Sequence, residues 1–455
     1  MTSKNKKIIL SGFTMAAVSH INYGLWRHPQ EQGHRYTDLR YWTELAQLLE
    51  KGHFDCLFIA DALGLLDTYQ GSADASLSKG IQSPLIDPLL LVSAMAAVTQ
   101  RLGFGVTVST TYEYPYLLAR KFTTLDHLTE GRVAWNIVTS QLESAARNLG
   151  LDQQMNHDER YDRAQEFLDV TYKLWQFSWE EDAVVRDKAA GVYTDPQKVH
   201  GIGHQGRYFS VPDAHLSEPS PQRTPVLFQA GGSPRGIEFA ARNAEVVFVA
   251  GMDAAGVRKQ VSAIKAQAAI DGRHPDSIKF ISAVTVITDA TPELARDKLE
   301  AYRQWYDLDG AVVHYSASTG VDLGAQSLDQ PVEYRETNSN RSLLKMLDSG
   351  GGKRWTLREA FSPSEGFGRQ KTFVGDGAQV ADLLEQWLED TDTDGINLAQ
   401  WVSPASFADF IEFVVPELVA RGRLDTTPRE TLRQGIFPSG TARLPEDHPG
   451  FIKPD

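Results

Sequence analysis

Residues 225–250 read PVLFQAGGSPRGIEFAARNAEVVFVA and predict one complete strand–turn–helix–strand unit. Pro225–Ala230 is a short apolar run suited to a strand, and Gly231-Gly232-Ser233 supplies a turn. Pro234 then stands at the first helical position, where its missing N–H is not needed. The second strand, Ala244–Ala250, contains VVFVA, an apolar run that implies burial on both faces. Two such strands joined through a helix lie parallel, because parallel pairing needs a crossover of about that length.

The same alternation extends in both directions. Further strands are predicted at Ile8–Met15, Asp55–Asp61, Leu102–Thr110, Val133–Ser140, Phe280–Thr288 and Gly395–Val402. Amphipathic segments with readable ends lie between them. TDLRYWTELAQLLEKG runs from a Thr37 cap to a Gly52 stop, and DPLLLVSAMAAVTQ opens on Asp87 with Pro88 behind it. HDERYDRAQEFLDVTYKLW places acidic residues in its first turn, where the helix dipole favours them. SFADFIEFVVPELVARG closes on Gly422. Eight strand–helix units predict an α/β fold, a (β/α)8 TIM barrel with insertions and a C-terminal extension, with active-site loops at the C-terminal strand ends. A doubly wound open sheet is the rival. No Pro/Gly/Ser-rich linker or internal repeat divides the chain, so residues 1–455 are read as one domain. Its insertions lie at about 178–224 and 309–371, and a tail follows residue 422. The middle insertion is polar and glycine-bearing, the composition of a lid or binding loop.

Composition bounds the function. The chain has 455 residues, 42% of them hydrophobic, enough for a large core. A net charge of −14 without any basic run argues against a nucleic-acid partner. The single cysteine, Cys56, lies in the apolar run CLFIA and reads as a small buried hydrophobe. The apolar stretch behind the basic start MTSKNKKIILSGF is too short for a signal segment, and no run approaches the ~18 apolar residues of a membrane helix. The expectation is a soluble, cytoplasmic protein with no membrane partner.

Two glycine-rich stretches compete as anion sites. Gly201–Gly206, GIGHQG, has the glycine spacing of a dinucleotide fingerprint. That motif needs a helix behind it, so that pyrophosphate meets free N–H groups. Here RYFSVP follows, an alternating run ending in proline, which predicts a turn ahead of a short hairpin. His200 and His204 share no fixed face there, so no metal is expected. Gly231-Gly232-Ser233, between a strand and a helix start, is the better site: glycine N–H groups, the Ser233 hydroxyl and Arg235 all suit a phosphate. The alternative is an ordinary turn in which Ser233 only caps the helix. A second helix start, NHDERYDRA, places His157 and Tyr161 four apart as hydrogen-bond donors or, more plainly, as a surface cap and a half-buried tyrosine.

The stretches HINYGLWRHPQEQGHRYTDLRYWTELAQLLEKGHFDCLFIADALG, TLDHLTEGRVAWNIVTS, HDERYDRAQEFLDVTYKLW, EPSPQRTPVLFQAGGSPRG and DGINLAQWVSPASFADFIEFVVPEL resemble flavin-dependent monooxygenases of the bacterial-luciferase-like superfamily. They resemble in particular the branch holding nitrilotriacetate, dibenzothiophene-sulfone, dimethyl-sulfide and long-chain alkane monooxygenases. The resemblance implies an enzyme that receives FMN as FMNH2 from a separate NAD(P)H:flavin reductase and binds O2. It implies a flavin C4a-hydroperoxide that oxygenates a small-molecule substrate, and no dinucleotide site. Carried over by motif, Asp61 and Thr107 face the flavin ring, and Ser140 and Gln141 line the ring or ribityl chain. His157, Tyr161, Gly231, Gly232 and Ser233 hold the phosphate. His20, Gln82 and His314 match polar positions near the active site of the alkane enzyme. Ala17, Leu66 and Gln141 depart from it, standing where that enzyme has a cysteine, a tyrosine and a histidine, which leaves the substrate open. A homo-oligomer, dimer or tetramer, is expected.

His20 and His314 are the catalytic candidates, for hydrogen bonding or placing a proton, against a plain structural role; Asp61 has the alternative of a helix cap. Leu63, Leu66, Gln82, Tyr112 and Trp401 are expected to bind substrate. With Leu65 and Tyr114 they form loops with few lysines or arginines, which suits a neutral apolar molecule such as an alkane, an organosulfur compound or a halogenated or aromatic hydrocarbon. A metal-dependent hydrolase on the same barrel would want His-x-His after strand one, whereas His20 and His28 stand eight apart. A deazaflavin-dependent oxidoreductase or a non-catalytic flavin binder would share the phosphate site. Absorbance of the reconstituted protein, with oxygen uptake on reduced FMN against reduced deazaflavin, distinguishes these readings.

Overall fold

The computed structural model describes residues 6–331, 337–339, 356–362, 370–438 and 440–452. Eight parallel strands form a closed ring in chain order: β1 (Ile9–Met15), β2 (Cys56–Ala60), β3 (Gly103–Ser109), β4 (Val133–Val138), β5 (Val226–Gln229), β6 (Val246–Val249), β7 (Lys279–Thr288) and β8 (Gly395–Ala399). β8 returns to β1 with Ile9 opposite Gly395, and that last ladder excludes the open sheet. Seven of the strands lie inside their predicted spans, and β7 begins one residue before its own, at Lys279. The ends are shorter because residues such as Asp61 and Ser140 have already left the ladder for the loops.

Among the described residues, four helices matter for the site: α1 (Leu39–Lys51), α2 (His157–Tyr172), α3 (Pro234–Asn243) and α4 (Leu308–Thr319). The cap of α1 is Asp38, not Thr37; its carboxylate accepts from the Arg40 N–H at 3.0 Å. Tyr41, Trp42, Leu45, Ala46 and Leu49 then fall on one buried stripe. α4 corrects the reading of 309–371 as a polar loop throughout. It is capped by Asp307, closes on left-handed Gly320, and is buried from Gly310 to Thr319. DGAVVHYSAST is nearly apolar all round, the composition of a core helix rather than a surface one. A ninth strand, Lys371–Gly375, extends β7 beyond its pairing with β8. KTFVG is too short and mixed to signal a strand by alternation. The SGGG stretch at 349–352 lies outside the described residues.

The tail after residue 422 closes the N-terminal end of the barrel. Leu432 and Ile436, on the short helix Leu432–Ile436, pack with Ile9, Cys56, Ala134 and Phe228 inside the ring. Arg433 reaches Glu245 at 2.7 Å, with both side chains about 2% exposed, and donates to the carbonyls of Thr224 and Pro225. Removing one partner of such a pair leaves an uncompensated buried charge.

The 178–224 insertion forms two hairpins, Val184–Asp187 with Val192–Thr194 and His204–Gln205 with Ser210–Val211. The short hairpin expected behind GIGHQG is present, but the stretch itself supplies its first strand, His204–Gln205, rather than only a turn ahead of it. Its turn wraps a carboxylate of the protein itself. Glu166 of α2 accepts from the N–H groups of Arg207, Tyr208 and Phe209 at 3.0, 3.0 and 2.8 Å, and lies 3.3 Å from His204 Nε2. Burial alone would raise this carboxyl, but the N–H groups of Tyr208 and Phe209 and the His204 contact outweigh it and hold it below its usual range.

Candidate active site

A cavity of about 370 Å³ opens at the C-terminal ends of β1, β2, β4 and β5, where a TIM barrel places its chemistry. Met15, Ala60, Val138 and Gln229 mark the strand ends in its wall. The loops add Asp61, Leu63, Leu66, Gln82, Ser140 and Gln141, and α2 and α4 add His157, Arg160, Tyr161 and His314.

One end is built from two helix starts. Ser233 caps α3, its Oγ accepting from the Gly236 N–H at 3.1 Å, and Tyr161 of α2 hydrogen-bonds to Ser233. Burial pushes the Tyr161 hydroxyl up, so it remains a neutral donor. The N-cap of α2, Asn156, satisfies no N–H with its side chain. Among the described residues, the N–H groups of Gly231, Gly232 and Ser233 have no protein acceptor either. Gly231 is required by close approach: a Cβ there would stand 2.6 Å from Gln229 Nε2 and 3.1 Å from Gly236 Cα. Two helix starts, with glycine N–H groups unpaired among the described residues at one of them, are an arrangement that could hold an anion. Arg235 does not contribute as expected; it pairs with the exposed Asp162 and Glu238 at 2.6 and 2.7 Å.

In the middle of the cavity Asp61 follows β2, and burial raises its carboxyl to about 7 against the opposing Ala62 N–H. Ser140, in the left-handed region at φ 54°, donates to Ser109 Oγ at 2.8 Å. Met15, Leu63, Leu66, Gln82 and His314 also line the cavity. His314 is gripped on both ring nitrogens: Nδ1 lies 2.5 Å from Tyr23 Oη and Nε2 3.2 Å from Gln82 Nε2. Gln82 also donates to the His20 carbonyl at 3.3 Å. Among the described residues, no group of three His, Cys, Asp or Glu is arranged to hold a metal ion.

The family model for luciferase-like monooxygenases matches residues 21–394. The chain belongs to this family. The monooxygenase is 48% identical over 446 residues to dimethyl-sulfide monooxygenase of Hyphomicrobium sulfonivorans, covering 98% of this chain and 93% of that one. It is also 48% identical over 444 residues to long-chain alkane monooxygenase of Geobacillus thermodenitrificans strain NG80-2, covering 97% of each. The crystal structure of long-chain alkane monooxygenase superposes with a TM-score of 0.89 over 98% of this chain and 100% of that one. Riboflavin lyase, crystallised with modified FMN and its substrate riboflavin, superposes at 0.91 with 37% identity, over 98% of this chain and 99% of that one. The chain is therefore an oxidoreductase of the monooxygenase class, in the branch its motifs indicated.

In this monooxygenase the cavity gathers Asp61, Ser140, Gln141, His157, Tyr161 and Gly231, with Leu63, Leu66, Gln82 and His314. Gly232 and Ser233 adjoin it at the α3 start. Thr107 lies within the barrel, its hydroxyl accepting from Asn136 Nδ2 at 2.9 Å. Three expected residues sit elsewhere. The His20 ring packs edge-on against Phe13 at 4.3 Å, and only its carbonyl reaches Gln82. Tyr112 accepts from Gln154 at 2.7 Å, and Trp401 is buried against Tyr302. Tyr114, also read as a loop aromatic, donates to Ser210 of the second hairpin. Sequence reasoning missed Arg160, Gln229 and Tyr23. Arg160 is buried and donates to the Met155 and Asn338 carbonyls at 2.7 Å each. Its signal was position: it falls three residues after His157, on the same helix face.

Proposed function

We propose that the chain is the oxygenase of a two-component system. It takes FMNH2 from a separate NAD(P)H:flavin reductase and uses O2 to insert one oxygen atom into a small, neutral, apolar substrate. The observation that carries the reading is that one cavity combines two helix starts, with glycine N–H groups unpaired among the described residues, and the apolar side chains of Met15, Leu63 and Leu66. Arg160 is the only Lys or Arg among the described lining residues, and it belongs to α2, at the anion end.

The residues fit FMN. His157, Tyr161, Gly231, Gly232 and Ser233 would hold the phosphate, and Ser140 and Gln141 the ribityl chain or ring. Asp61 and Thr107 would meet the ring's polar edge. Gln229 Oε1, buried and without a partner among the described residues, leaves an acceptor in the cavity wall. The modified FMN bound to riboflavin lyase, a relative of nearly equal length, supports the choice of flavin. When bound, reduced FMN supplies the electrons that activate O2. The protein's own part is to bind the phosphate, exclude water with buried α4, and hold substrate against the Leu63–Leu66 side next to His314. We place the enzyme in the cytoplasm, as a homo-oligomeric dimer or tetramer.

NADH and FMN with the purified protein should give no turnover, and adding any flavin reductase should restore it. Rapid flavin reduction by NADH with this protein alone overturns the two-component scheme. Across a homologous series of neutral substrates, apparent affinity should rise by ~0.8 kcal/mol per buried methylene until the cavity fills. A preference for nitrilotriacetate, or no trend with chain length, overturns the substrate class.

A further inference from the structure

Tyr23 lies outside the cavity wall, on the first loop, and is only 2% exposed. Its hydroxyl nevertheless stands 2.5 Å from Nδ1 of His314, which does line the cavity. The proton positions in this contact follow from the other side of the imidazole. The His20 carbonyl can only accept, so the Gln82 amide must turn its nitrogen toward it, at 3.3 Å. The same nitrogen lies 3.2 Å from His314 Nε2. Gln82 has two amide hydrogens, one for each neighbour, so Nε2 must offer a lone pair. In a neutral imidazole the proton then sits on Nδ1 and is donated to the Tyr23 oxygen. Gln82 is itself held in the left-handed region, at φ 50°, which restricts the backbone from which its amide extends.

We propose that Tyr23 is a positioning residue that holds His314 as the Nδ1–H tautomer, so that its cavity-side nitrogen accepts hydrogen bonds rather than donating them. The inference rests on the proposed function for its catalytic meaning, but its geometry does not depend on flavin. A group at the cavity that donates a hydrogen bond could replace the Gln82 amide at Nε2, with Tyr23 keeping the ring in place. His20 enters this arrangement through its backbone carbonyl.

The test uses the full-length protein labelled with 15N-histidine, with His314→Gln identifying the resonances. In the wild type, His314 should show a protonated, pyrrole-type Nδ1 and an unprotonated, pyridine-type Nε2, with no flavin added. Tyr23→Phe removes the acceptor of the Nδ1 proton and should weaken that preference while Gln82 still donates to Nε2, and Gln82→Glu should reverse it, since a carboxylate only accepts. If Tyr23→Phe fails to fold, the wild-type spectrum and Gln82→Glu still decide. Turnover with FMNH2 should fall about tenfold in kcat for Tyr23→Phe, the size of one buried hydrogen bond, with flavin affinity unchanged. A wild type protonated at Nε2, a Gln82→Glu variant with the wild-type tautomer, or a Tyr23→Phe variant matching the wild type in tautomer and kcat overturns the proposal. Wild-type protein with the expected tautomer but no turnover on FMNH2 counts against the function alone.

Discussion

GIGHQG at 201–206 and AGGSPRG at 230–236 are both glycine-rich, but the first follows the polar stretch DPQKVH and the second the apolar strand β5. The first opens a hairpin whose N–H groups are taken by Glu166, a carboxylate supplied by the fold. The second leads into α3, and its N–H groups face a cavity without a protein acceptor among the described residues. Three glycines are common to both. What separates them is whether a helix follows and whether an internal carboxylate arrives first. A filled nest stabilises the protein, whereas an open one is available to a ligand.

The strongest way to break this comparison is to place negative charge at the open turn. Ser233→Asp sets a carboxylate against the phosphate and should weaken flavin binding at least ~10-fold, a loss of ~1.4 kcal/mol or more. The matched change Gln205→Asp in the other stretch should leave flavin affinity unchanged. Fluorescence titration of both variants checks this, and equal affinities would remove the phosphate from the α3 start.

A smaller effect is expected when the filled nest is emptied of charge. Glu166→Gln keeps one acceptor but loses the charge-assisted bonds, which should cost roughly 1 kcal/mol in urea unfolding while flavin affinity stays constant. The folded carboxyl lies below its usual value, so its stabilisation is complete above the unfolded value of ~4.3 and is lost as pH falls through the folded one. The variant should lack that acid-side loss. A wild type and variant with parallel stability curves between pH 3 and 6 would count against the nest.

A third effect concerns Asp61, a carboxyl with the opposite history. Its folded value of about 7 lies above an unfolded ~3.9, so it disfavours the folded state increasingly as pH rises between those values. Asp61→Asn should therefore raise Tm slightly at pH 8 and leave it unchanged near pH 4, at the expense of flavin binding. A stability gain of equal size at both pH values would contradict the assignment.

Much of the barrel was legible because each strand announces itself locally. VVFVA and CLFIA are apolar enough to require burial on both faces, and caps such as Asp87 and Ser233 sit where helices begin. The ninth strand and α4 were not legible. KTFVG carries no alternation, and a core helix without a polar face has no helical period to read. At the site, residues tied to a helix start or a strand end, such as His157, Tyr161, Gly231 and Asp61, could be found from their motifs. The aromatic loop residues could not be placed, because Tyr112, Tyr114 and Trp401 are claimed by Gln154, the second hairpin and Tyr302.

The sequence by itself determined the eight strands, their parallel order and the two helix starts, since periodicity, capping and turn chemistry act over a few residues. Only the tertiary structure decided which nest was already filled, which aromatics left the cavity, and that Tyr23 and Gln82 would meet His314. Those outcomes depend on groups 42 to 291 residues apart in the chain, from Glu166 and Tyr208 to Tyr23 and His314, which local pattern cannot bring together. Closure of the ring does that. It converges the C-terminal ends of all eight strands, so that side chains from separate loops share one cavity.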